Sequence, residues 1–275
     1  MGFLFPTLLL CLSVVLTSFQ TKAQEFDPYL NANVSSLSSG RKLAGRCNLF
    51  RGKWVYDSSY PLYDPSTCPF IDPQFNCQKY GRPDTQYQKY RWQPFSCPLP
   101  SFNAFDFLAK YRGKKVMFVG DSLSLNQWDY VQEGNKLYKD MNRFILFYKG
   151  LTTWARWVNI NVNPAQTKVF FLGISPVHYE GKDWNQPARS CMSETEPFFG
   201  LKYPAGTPMA WVIVNKVLSR IKKPVYFLDV TTLSQYRKDA HPEGYSGIMA
   251  TDCSHWCLPG LPDTWNVLLH AALFG

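Results

Sequence analysis

Ser122, Asp252 and His255 are the side chains of this 275-residue chain whose types and order could perform nucleophilic catalysis. Ser122 stands in "VMFVGDSLSLNQW", just past an apolar run that breaks at Gly120. A hydroxyl is a weak nucleophile at neutral pH. It needs a histidine to take its proton and a carboxylate to hold that histidine in the right tautomer. The chain has four histidines, His178, His241, His255 and His270, and only His255 has a carboxylate spaced to orient it within one loop: Asp252, three residues earlier. Asp229, at the end of a predicted strand, is the rival carboxylate; Asp121 adjoins the serine and cannot easily reach the far side of a histidine. "GDS" alone is ordinary turn chemistry. Joined to a C-terminal D-x-x-H in the order Ser, Asp, His, it becomes far more specific. The surrounding G-x-S-x-S differs from the G-x-S-x-G elbow of the α/β-hydrolases and argues against that fold.

The same loop admits other readings. Cys253, His255 and Cys257 cluster as metal ligands could, but zinc sites normally use C-x2-C or similar spacings with a fourth ligand, so no metal is expected. Trp256 and Trp265 flank the D-x-x-H motif. They are candidates to stack on sugar rings, and equally to pack inside a disulfide-braced loop.

The elements that must position these groups alternate. "KKVMFVGDS" is a short apolar strand, "TKVFFLGIS" (167–175) a second and "KPVYFLDVTTLS" (223–234) a third. Between them, Leu137, Met141, Phe144, Ile145 and Tyr148 form one helical stripe, and Ala210, Ile213, Val214, Val217, Leu218 and Ile221 another. Strands alternating with helices predict a parallel sheet covered by helices, with reactive loops at the carboxyl ends of the strands. Ser122 occupies such an end.

Composition sets the compartment. Hydrophobic residues make up 45% and charged residues 18%, a folding composition. The net charge of +9 is spread along the chain, which suits an acidic polysaccharide better than nucleic acid; no zinc-finger, basic-zipper or RNP pattern is present. Residues 1–23 read as a signal peptide ending after Ala23, or as an uncleaved signal anchor, since Lys and Arg are missing ahead of the apolar run. Residues 24–45 are a polar, Ser-rich linker carrying a sequon at Asn33. Residues 46–100 are cysteine-, proline- and aromatic-rich, a loop-rich wrap, and 101–275 hold the alternating domain. Beyond Cys11 there are seven cysteines, an odd number for an oxidising lumen, so one thiol is left over.

At this point the motifs carry a resemblance. "GDSLSLNQW" with "TDCSHWCLPGLPDTWN" (251–266) resembles the plant trichome-birefringence-like, or PC-esterase, family of polysaccharide O-acetyltransferases. "RCNLFRGKWVYDSSYPLYDPSTCPFI" (46–71) and "YRWQP" are similar to that family's cysteine-rich N-terminal region, and "GISPVHYEGKDWNQP" (173–187) to its central segment. The resemblance implies a three-layer GDSL/SGNH-hydrolase-like α/β fold, residence in the Golgi lumen or membrane, and acetyl transfer to xylan, mannan or pectin. It implies Ser122 as nucleophile, His255 as base and Asp252 as its orienting partner, with no bound cofactor and with acetyl-CoA or another acetyl donor as co-substrate.

The chain departs from the family pattern at Trp128. In the family, the helix opened by "NQW" continues to a further cysteine and two more strands; here "SLNQW" runs directly into "DYVQEG". Several tens of residues are missing, which accounts for the odd cysteine. The amide of Ser122 remains as an oxyanion donor, whereas the glycine amide and asparagine side chain of GDSL-type sites belong to the missing part. Losing one such donor costs about a hundredfold or more in rate. The expectation is an enzyme by ancestry with weak or no activity as written. A wall-ester hydrolase and a non-catalytic lumenal glycan-binding protein are the alternatives.

Overall fold

The computed structural model describes residues 47–116, 131–133, 136–138, 142–247 and 251–274. The N-terminal segments 1–23 and 24–45, the sequon at Asn33, Ser122 and most of the first predicted strand lie outside the described residues. Among the described residues no helix is long and apolar enough to cross a membrane.

The chain forms two compact units. One comprises Phe105–Leu172 and Met209–Phe227; the other takes the described residues up to Ala104, Gly173–Pro208 and Leu228 onward.

The first unit holds α1 (Ala104–Tyr111), the antiparallel pair β3 (Val131–Glu133) and β4 (Lys136–Tyr138), α2 (Arg143–Asn161), β5 (Val169–Leu172), α3 (Met209–Leu218) and β6 (Val225–Leu228). The stripe predicted from Leu137 to Tyr148 does not form one helix. Leu137 lies on β4, Met141 falls outside the described residues, and the helix starts only at Arg143. Asn142 sets that start: its side-chain oxygen accepts the amides of Phe144 and Ile145 at 3.0 and 3.3 Å, satisfying two donors that the first turn leaves orphaned. The buried face of α2 is Phe147, Leu151, Trp154, Ala155 and Val158, while Ile145 is exposed. This face packs against α3, whose buried residues Ala210, Ile213, Val214 and Val217 are those of the predicted stripe. The β-branched and aromatic runs "VFFL" and "VYFL" form the strands β5 and β6, paired in one sheet, and Trp154 closes on Phe171 with ring centroids 5.4 Å apart. The third predicted strand is shorter than the sequence suggests. It ends at Leu228, and "TTLSQ" forms the short helix α4 (Thr231–Gln235).

The second unit contains the cysteine-rich region. Strands β1 (Gly52–Tyr56) and β2 (Tyr90–Pro94) pair antiparallel with Trp54 opposite Trp92, and the disulfide Cys47–Cys97 closes the segment around them. The indole N–H of Trp54 donates to the carbonyl of Leu233 at 2.8 Å. Arg237, buried beneath, lies over the Trp54 ring at 4.5 Å, pairs with Asp239 and donates to the Tyr87 carbonyl. A buried guanidinium is tolerable only because these partners occupy its donors. Helix α5 (Leu261–Phe274) ends the described chain and buries Leu261, Val267, Leu268 and Ala271. The described architecture is thus mixed α/β with three two-stranded sheets.

Candidate active site

The site is built in one loop. In "TDCSHWC" (251–257), the Asp252 Oδ1 accepts the backbone amides of Ser254 and His255 at 2.9 and 3.0 Å and the Ser254 hydroxyl at 2.9 Å. These bonds curl the chain so that the His255 ring returns to the same carboxylate, with Nδ1 2.7 Å from Asp252 Oδ2. A carboxylate accepts, so His255 Nδ1 carries the proton and Nε2 is left as the basic nitrogen. The local turn that Asp favours therefore also fixes the tautomer a general base requires.

The electrostatics follow from these contacts. Burial pushes Asp252 up, but the hydrogen bonds from the His255 ring and from the His255 and Ser254 amides outweigh it and hold the carboxyl well below the usual carboxylate range. His255 is raised, chiefly by the hydrogen bond to Asp252 and against partial burial. Its side chain keeps 28% exposure.

Two disulfides pin the loop from either side of His255. Cys253 bonds to Cys191 and Cys257 to Cys77. Both sulfurs of the Cys253, His255, Cys257 cluster are thereby taken out of metal-binding form, since ligation needs a thiolate. Backbone bonds add to the brace. Asp252 and Glu243 exchange amide-to-carbonyl bonds at 2.7 and 2.9 Å, His178 N donates to Cys253 O at 2.9 Å, and Leu258 N to Phe75 O at 2.8 Å. The last bond brings the Phe75 ring beside His255, centroids 5.7 Å apart. With Cys47–Cys97, three bridges use six of the seven cysteines, and Cys68 is the free one.

Of the residues singled out in the sequence, Asp252 and His255 come together, and Ser122 lies outside the described residues. Trp256 is only 6% exposed; its ring stacks on His241 at 4.0 Å and its N–H donates to the Ser175 hydroxyl at 2.7 Å. In this arrangement it packs the loop. Trp265 is part-buried and donates to the Ser234 hydroxyl at 3.0 Å. Sequence reasoning missed His241, whose Nδ1 donates to the carbonyl of His255 at 2.6 Å, and Arg82, which donates to the carbonyls of His241 and Asp239 at 2.5 and 2.6 Å. It also missed Phe75. Nothing in their local spacing marks these residues; only His178 fell inside a quoted motif.

Comparison with known proteins decides the kinship. The model of the PC-esterase family, described as a GDSL/SGNH-like acyl-esterase family found in Pmr5 and Cas1p, matches residues 99–129 and 126–272. The chain belongs to the PC-esterase family. The PMR5 N-terminal domain model matches residues 45–98. Among PC-esterase relatives from Arabidopsis thaliana, protein trichome birefringence-like 40 is 47% identical over 99% of this chain and 100% of its own length. Protein trichome birefringence-like 39 is 49% identical over 90% and 92%, and protein trichome birefringence is 32% identical over 92% and 60%. The first of these alignments spans 366 positions against a chain of 275 residues, so the relative carries several tens of residues with no counterpart here. The PC-esterase match breaks into two pieces that meet at residues 126–129, the junction at Trp128.

Proposed function

We propose that this chain derives from an O-acetyltransferase acting on plant cell-wall polysaccharide in the Golgi lumen, with Ser122 as nucleophile, His255 as base and Asp252 as the group that orients it. The observation that carries the reading is the Asp252–His255 bond, which leaves Nε2 as the basic nitrogen of a part-exposed ring in a chain of the PC-esterase family. The three disulfides support folding in an oxidising lumen, to which residues 1–23 direct the chain as signal peptide or anchor. The intact domain is a three-layer GDSL/SGNH-like sandwich, from which this chain lacks the two strands that the family carries at the Trp128 junction.

The chemistry runs in two steps. As the Ser122 oxygen attacks the carbonyl of an acetyl donor such as acetyl-CoA, its proton passes to His255 Nε2, and Asp252 stabilises the imidazolium that forms. His255 returns the proton to the leaving group, and Ser122 is left acetylated. A sugar hydroxyl then gives its proton to His255, attacks the acetyl carbonyl and displaces the serine, which recovers its proton. Water in place of the sugar turns transfer into hydrolysis, so the acceptor must be held and water excluded.

A second reading has its own observation. The two-piece family match removes a segment next to the nucleophile, and a chain without the remaining oxyanion donors would keep only a glycan-binding role. An acetyl-transfer assay on the chain as written, on a version restored at Trp128, and on the restored version with Ser122→Ala tests both. Restored activity that the alanine abolishes supports the first reading. Equal turnover by the written and restored chains refutes the impairment, and activity that survives the alanine refutes the role of Ser122.

A further inference from the structure

Beneath the Asp252–His255 loop, two histidines that the proposed reaction does not use face each other. His178 and His241 are fully buried. Their outward nitrogens both meet backbone carbonyls: His178 Nε2 lies 2.8 Å from the oxygen of Gln235, the last residue of α4, and His241 Nδ1 lies 2.6 Å from the oxygen of His255. A carbonyl only accepts, so each outward nitrogen must carry a hydrogen. The inward nitrogens, His178 Nδ1 and His241 Nε2, are 2.6 Å apart. Two neutral rings own two N–H groups between them, and both are already directed outward. Without a further hydrogen, two lone pairs would face each other at hydrogen-bond distance. Three contacts need three protons.

We propose that His178 and His241 share one extra proton between their facing nitrogens, and that this singly charged pair is a positioning element for the loop that carries His255. The pair acts through the His255 carbonyl, not on a substrate; only the significance of holding His255 rests on the reading of that residue as a base. The line from the end of α4 through the two rings to His255 forms a strut.

The surroundings can hold such a charge. Asp239 and Glu194 favour it at His178 and Asp252 favours it at His241, while Lys238 opposes it at the first ring and Arg82 at the second. The Trp256 face stacked on His241 adds a cation–π contact. Burial works the other way at both rings, and His178 opposes a charge on His241; burial outweighs the favourable groups and pushes His178 down to about 4 and His241 well below its ordinary value. Against it stands the cost of leaving buried lone pairs unpaired at contact distance. Flipping either ring offers no relief: it would put a carbon where a nitrogen now meets the Gln235 or the His255 carbonyl, and so lose that buried bond.

Nuclear magnetic resonance of the full chain with 15N-labelled histidine tests the proton count without any need for activity, so the outcome is separate from that of the acetyl-transfer reading. At neutral pH we expect three ring hydrogens over the two rings, one of them strongly downfield and coupled to nitrogens of both. Two ring hydrogens, with both inward nitrogens bare, would overturn the shared proton. The positioning role is read in the same protein: as the shared proton is lost on raising the pH, the 13C shift of the His255 carbonyl should move with it, and a shift that stays constant overturns the role. His178→Gln provides a second reading. The His255 titration should fall towards its ordinary value in the folded variant, and an unchanged titration there counts against the proposal.

Discussion

Cys257, two residues beyond His255, is bonded to Cys77, which precedes it by 180 residues. The bridge joins the cysteine-rich region to the D-x-x-H loop and closes residues 77–257 into one covalent ring. A cross-link over so long a span removes much of the unfolded chain's freedom, and losing a native bridge of this kind costs about 2–5 kcal/mol. The double variant Cys77→Ser, Cys257→Ser should therefore unfold at markedly lower denaturant, with the Cys191–Cys253 bridge intact. Equilibrium unfolding followed by tryptophan fluorescence measures the shift; nine tryptophans make the signal strong.

The Asp252–His255 pair predicts a pH window. His255 is raised from its ordinary 6.5, so its share of stability is full below that value and is lost as pH rises through the raised folded value. Asp252 is lowered from its ordinary 3.8, so its share is present above that value and is lost as pH falls below it. The pair contributes most between about pH 4 and about pH 6.5, and the His255 share is lost from there up through its raised value. Asp252→Asn should bring the His255 titration, followed by nuclear magnetic resonance, back down and flatten the stability profile above neutrality. A His255 titration unmoved by the substitution would show that Asp252 does not set it.

How much of this was legible in the sequence depended on the range of the forces involved. Asp252 and His255 lie within one turn of chain, and an Asx-type curl is local chemistry that spacing reveals. The α3 stripe was legible for the same reason: Ala210, Ile213, Val214 and Val217 bury one face at helical period. On α2 the period was found but its phase was not, because Asn142 caps the helix after Leu137 has already paired on β4. The cysteine partners were beyond reach, since six paired cysteines admit about 15 connectivities and spacing selects none. His178, His241 and Arg82 were invisible as a group. Their importance arises from partners 60 to 160 residues away, and a buried polar residue carries no periodic signature.

Arg82 illustrates what such a residue contributes. Its guanidinium is buried, faces Asp84 at 3.2 Å and Glu243 at 3.5 Å, donates to the carbonyls of His241 and Asp239, and lies over the Tyr87 ring at 4.2 Å. Glu243 in turn is bridged through its backbone to Asp252. Arg82→Met keeps the length and removes the charge, leaving two carboxylates and two carbonyls to be satisfied by nothing of equal reach. Breaking a buried pair from one side costs about 3–5 kcal/mol. Thermal unfolding of the variant should show a loss of that order, and a loss no larger than that of an exposed arginine such as Arg220→Met would refute the network's importance.

The junction at Trp128 leads to a prediction about surface. Helix α1 is amphipathic, with Phe107 and Tyr111 in contact at 4.9 Å, yet none of its residues is buried. Leu108 is 66% exposed, and Val116, Ile145 and Ile160 of the same unit are exposed as well. An apolar side chain left in water forfeits about 1.5–3 kcal/mol relative to burial, a large fraction of the ~5–15 kcal/mol that holds a domain folded. The segment that the relatives carry between the two matched pieces is expected to cover this face. The chain as written should bind a hydrophobic dye such as ANS strongly and self-associate with rising concentration, whereas the version restored at Trp128 should bind less dye and melt at higher temperature. If both versions bind the dye equally and melt together, the exposed face of α1 belongs to the family's ordinary surface and the lost segment covers something else.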